Sequence, residues 1–149
     1  MKHYKLSYDE LAKQGRRYYN DTNFCTVIAL AVACDLPFGK AYHTFKRVGR
    51  QHRRGTLRRQ AWDALAEFGR DMNMDEQKQA EWEGRTVNQM LKDCKHWKGR
   101  YFVYINQHVI AIRDGVCEDW TASERCCKRK IQAVYKIGKK SSSIQDGKK

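Results

Sequence analysis

The stretch HVIAIRDGVCEDWT, residues 108–121, decides the fold class. Two apolar runs flank Asp114-Gly115, a residue pair suited to a two-residue hairpin turn because both positions need positive φ. With those residues as the turn, Arg113 pairs with Val116, Ile110 lies opposite Asp119, and His108 lies opposite Thr121. Side chains alternate faces with a period of two, so His108, Ile110 and Asp119 share a face. His108 and Asp119 become diagonal neighbours with Cα atoms roughly 7–8 Å apart, a gap that long side chains bridge. A one-residue slip of register would separate them.

Outward from this hairpin the chain divides into helices before and strands after. Residues 101–105 form a strand, 108–113 a second, 116–120 a third and 130–137 a fourth. Upstream, Ser7 and Glu10 make a capping box for a short first helix that fades near Tyr18. The run CTVIALAVAC, residues 25–34, is apolar almost all round, the mark of a buried helix. Asp21, Thr22 and Asn23 are its cap candidates. Pro37 opens a helix to about Val48. Thr56 caps another, with Leu57, Ala61, Ala64, Leu65 and Phe68 as its stripe, and Gly69 ends it. Residues 70–85 are polar and weakly periodic and read as loop with a helical turn. Thr86 caps a short helix through Leu91. Helices followed by strands make an α+β domain spanning 1–137, with 138–149 expected to be a disordered basic tail.

The chain has 149 residues, 41% of them hydrophobic, which suits one core. No apolar run approaches the ~20 residues of a membrane span. The first nine residues lack the apolar stretch of a secretory signal, so the expected address is cytoplasmic. The six cysteines, at positions 25, 34, 94, 117, 126 and 127, are then expected as reduced thiols. Cys94, His96, Cys117, Cys126 and Cys127 do not have the paired spacing of a structural zinc site, and no metal or cofactor is expected.

Much of the formal charge of +13 lies in two blocks, one within residues 36–62 and one from Lys128 to Lys149. No acidic residue interrupts 36–62, where Arg47, Arg50, Arg53, Arg54 and Arg58 form a basic surface suited to an acidic protein or a nucleic acid. A solvated surface with no partner explains the same residues. No Gly-rich phosphate loop accompanies them.

An imidazole beside a carboxylate is the orienting half of a nucleophile–base–acid triad. A hairpin whose histidine and aspartate merely bond each other fits the same spacing. Cys25 supplies the missing partner. It stands at the first turn of the buried helix, where the positive end of the helix dipole lowers a thiol's pKa. Cys34, at the far end of that helix, lacks the dipole and reads as core.

Phe24-Cys25 with its apolar helix, Tyr42-His43, Gly49-Arg50 to Gly55-Thr56, Gly99-Arg100, the 108–116 hairpin, and Asp119-Trp120-Thr121 occur in an order that resembles a group of small phage and bacterial proteins. These are regarded as papain-like and related to the double-glycine leader peptidases. The resemblance covers about residues 22–137. It implies a nucleophile helix packed on a C-terminal antiparallel sheet, with Cys25 as nucleophile, His108 as general base and acid, and Asp119 as orienter. It also implies acyl transfer from a peptide or protein substrate, in the host cytoplasm if the protein is phage-encoded. Papain-like enzymes place an oxyanion-hole glutamine six residues before the cysteine. Tyr19 stands there in this chain, and Asn20 or Asn23 offers an amide instead. A scaffold that has lost catalysis and binds an acidic host protein or nucleic acid is the alternative expectation.

Overall fold

In the computed structural model of the chain, the residues described are 8–19, 25–51, 58–105, 108–118 and 129–139. Along them run α1 (Tyr8–Tyr18), α2 (Cys25–Cys34), α3 (Phe38–Arg47), α4 (Arg58–Ala66), β1 (Arg70–Met74), α5 (Glu76–Trp82), α6 (Val87–Asp93), β2 (Arg100–Ile105), β3 (His108–Arg113), β4 (Val116–Glu118) and β5 (Ala133–Lys139). A 3-10 turn at Cys94–His96 joins α6 to β2. The architecture is α+β. The strands form one sheet in the order β1-β5-β2-β3-β4, and every neighbouring pair is antiparallel.

The Asp114-Gly115 turn forms as its sequence dictates. Both residues have positive φ, 49° and 85°, and the ladder pairs Arg113 with Val116, Ile112 with Cys117 and Ala111 with Glu118. The Asp114 carboxylate accepts a bond from the Gly99 N–H at 3.1 Å, which ties the turn to the start of β2. Gly115 has a second reason to be glycine, since a Cβ there would sit 2.5 Å from the Lys95 carbonyl oxygen.

Alternation along the central strands sends side chains to two cores. Phe102, Tyr104, Val109, Ala111 and Tyr135 face α2, α3 and α4. Tyr101, Val103, Ile110, Ile112 and Val134 face Trp82, Val87, Met90 and Trp97. Helix α2 packs against β3, α3, α4 and α1. That surrounding explains its lack of a polar face: Thr26 through Ala33 are all buried. No single helix among the described residues is long and apolar enough to cross a membrane.

Two expectations need correction. Residues 70–85 are not a loop with one turn but an edge strand, β1, followed by helix α5. Each element buries a single side chain, Met72 in β1 and Trp82 in α5, so neither writes a period into the sequence. The fourth expected strand, at 130–137, begins at Ala133 and runs to Lys139, because β1 gives Gly138 and Lys139 partners in Asp71 and Arg70. The rest of the expected tail lies outside the described residues.

Candidate functional site

Cys25 opens α2, and His108 opens β3. The two meet at one end of the sheet. The His108 side chain and the Val109 backbone N–H both act on the thiol, and the Thr26 hydroxyl lies 3.8 Å from its sulfur. His108 is 7% exposed. Along the interior of β3, Ile110 and Ile112 pack on the core that lies away from α2. Strict alternation would turn His108 the same way, so the contact with Cys25 depends on its being the strand's first residue.

Burial is the largest single influence on the Cys25 thiol and pushes its pKa up. The His108 side chain, as donor and as charge, the Val109 N–H and the Thr26 hydroxyl together outweigh burial, and the net shift is downward. The other end of the same helix is the internal comparison. Burial raises Cys34 to about 11, against the pull of Arg70 and Arg100. Burial, then the Asp93 carboxylate, also raises Cys94.

A pair of arginines holds α2 in place along β3. Asp35, just past the helix, has φ of 56° and stands where glycine usually terminates a helix. The Leu36 N–H returns to the Ala31 carbonyl at 2.9 Å, completing that terminator. The Asp35 carboxylate accepts bonds from Arg113 at 3.0 Å and Arg100 at 2.9 Å. The same guanidinium groups donate to the Val32 and Ala33 carbonyls. Carboxylate and carbonyls thus gather at the negative end of the helix, where cations are favoured. From Cys25 to Asp35 the chain rises about 15 Å and from His108 to Arg113 about 17 Å, so pinning Asp35 to Arg113 at one end fixes Cys25 relative to His108 at the other.

Asp119, Asn20, Asn23, Arg53 and Arg54 lie outside the described residues. Tyr19, at the position of the absent glutamine, packs its ring against Phe38, Tyr42 and His43. The expected basic surface is divided. Arg47 bonds to Glu67 at 2.7 Å. Arg50 is 5% exposed and lies 5.9 Å from the centre of the Tyr42 ring, so it is a buried residue rather than a surface one. Its N–H returns to the Phe45 carbonyl, which draws it in behind the end of α3. Arg58 lies over Tyr104, beside the candidate site. Among the described residues, no three His, Cys, Asp or Glu side chains gather as metal ligands.

Residue spacing pointed to Cys25 and His108. It missed the Val109 N–H and the Asp35–Arg100–Arg113 cluster, because these depend on a backbone group or on contacts across 65 or more residues; it also passed over Thr26, although that residue is next to Cys25 in the chain. No family model, curated protein or solved structure matches the chain.

Proposed function

We propose that the protein is a cysteine hydrolase of papain-like type acting on an amide or ester carbonyl, with Cys25 as nucleophile and His108 as its base. The observation that carries this reading is the downward shift of a partly buried thiol by the His108 side chain, at the start of α2. The placement of that thiol on the first turn of a helix packed against an antiparallel sheet supports the papain-like assignment.

In this mechanism His108 takes the thiol proton, and the Cys25 sulfur attacks the carbonyl carbon. The carbonyl π electrons move onto oxygen. The oxyanion lies at the start of α2, whose first N–H groups have no acceptor within the helix. The oxyanion collapses, the bond to the leaving group breaks, and His108 protonates that group. Water, deprotonated by His108, then hydrolyses the thioester and releases an acid. Asp119 orients His108 in this scheme, and Asn20 or Asn23 adds an oxyanion donor. The alternative of an inactive scaffold binding through its arginines draws less support, because Arg50 is buried and Arg47 is already paired.

An activated ester, p-nitrophenyl acetate, tests the reading. One equivalent of nitrophenolate is expected in a fast burst, with acetyl on Cys25 in the intact-mass and peptide spectra. The burst disappears in Cys25→Ala. Acetylation spread evenly over the cysteines would overturn it.

A further inference from the structure

Arg58, the first residue of α4, lies over two tyrosines of the sheet. Its guanidinium carbon lies 4.4 Å from the centre of the Tyr104 ring and 5.7 Å from that of Tyr135. It donates to the Tyr135 hydroxyl at 3.3 Å. Arg47 has Glu67, and Arg100 and Arg113 share Asp35. Among the described residues no carboxylate lies within ion-pair distance of Arg58. Two tyrosines hold the cation, and no carboxylate among the described residues balances its charge.

Its position relative to Cys25 follows from the ladders. Tyr104 pairs with Val109 across β2 and β3, and β3 packs against α2, whose Cys25 lies against the same core as Val109 and Tyr104. On the other side Tyr104 pairs with Ala133, two residues before Tyr135. Thiol, Val109, Tyr104 and Arg58 therefore follow one another across the sheet, on the face covered by α2 and α4. With neighbouring strands ~4.8 Å apart, the cation stands roughly 10 Å from the sulfur. The Tyr104 hydroxyl feels the charge of both groups. At 3.3–3.6 Å per residue, roughly 10 Å is the reach of about three residues of extended peptide.

We propose that Arg58 selects the substrate: it docks a carboxylate, from an acidic side chain or a chain terminus, carried within about three residues of the carbonyl that Cys25 attacks. This rests on the hydrolase reading above. A guanidinium placed over aromatic rings, with one N–H spent on a tyrosine hydroxyl, keeps its remaining N–H donors for a planar carboxylate.

Alkylating peptides test it on the intact protein. Bromoacetyl-Gly-Glu-amide and bromoacetyl-Gly-Gln-amide differ by a side-chain carboxylate. Bromoacetyl-Gly-Gly and its amide differ by a terminal one. The rate of Cys25 labelling is read by mass spectrometry for each acid and its neutral twin. At least one acid is expected to outrun its twin about tenfold, and which one identifies the source of the carboxylate. That ratio falls to near unity in Arg58→Gln, falls partway in Arg58→Lys, and is kept in Arg59→Gln. Equal rates for acids and twins in the wild type, or a ratio unchanged in Arg58→Gln, would overturn the inference while leaving the hydrolase reading intact. If the neutral twins label Cys25 no faster than the other cysteines, both fail together.

Discussion

At the scale of single residues, two cysteines on one helix are driven in opposite directions by their surroundings. Both are substantially buried, and burial raises both. Only Cys25 has a histidine to reverse it. In His108→Ala that reversal is lost while burial remains, so the Cys25 pKa is expected to rise above the ordinary thiol value, toward the behaviour of Cys34. The same shift has a consequence for stability. A thiol whose folded pKa is lowered contributes stability that is fully present above its unfolded value, and loses it as pH falls through the folded value. The stability of wild type relative to Cys25→Ser is therefore expected to grow as pH rises from the folded Cys25 pKa toward ~8.5. Urea titrations at several pH values measure it, and a flat difference would contradict the shift. Glycine is equally constrained at 115, where φ is 85° and the Lys95 carbonyl fills the space of a Cβ. Gly115→Ala is expected to cost about 2–4 kcal/mol in urea unfolding.

At the scale of elements, α2 and β3 act as a matched pair. Their lengths agree, and the Asp35 cluster sets how far the helix slides along the strand. Asp35→Asn keeps a residue tolerant of positive φ and removes the charge that two arginines share. It is expected to cost about 3 kcal/mol, since both guanidinium groups are then left largely buried and uncompensated. A second effect separates positioning from mere stability: the pH dependence of Cys25 alkylation should move toward that of a free thiol under conditions where the variant is fully folded. An unchanged profile would show that the cluster only stabilises.

This scale also shows what the sequence could reveal. The His108 hairpin was legible because Asp114-Gly115 admits few conformations and its flanks alternate. Helix α2 was legible because ten residues with no strongly polar side chain fit only a helix surrounded by protein. Elements β1 and α5 were hidden, since one buried side chain each leaves no pattern. The Asp35 cluster was hidden for a different reason. Arg100 and Arg113 lie on neighbouring strands, and nothing local to either indicates a carboxylate from a helix that ends far upstream. Arg50 and Arg58 looked like members of one basic surface, because charge in a sequence says nothing of which face a residue takes.

At the scale of the whole molecule, one sheet separates two cores that share β2, β3 and β5. Shared strands make the cores unfold together. Phe102→Ala, on the α2 side, and Ile112→Ala, on the other, are expected to lower the same transition, by about 3–5 and 2–5 kcal/mol. Each leaves a single cooperative step, with fluorescence and circular dichroism coincident. Two resolved steps would contradict a common sheet. The functional claim also depends on this arrangement, because the first residue of α2 and the first residue of β3 meet only when helix and sheet are packed. Its most direct test is the rate of Cys25 alkylation by iodoacetamide against pH, resolved site by site, in wild type and in His108→Ala. Cys25 is expected to react well below the pH at which Cys34 does, and to lose this advantage in His108→Ala and, in the wild type, in urea. A wild-type Cys25 that titrates with Cys34, or one whose profile is indifferent to His108, would contradict the claim.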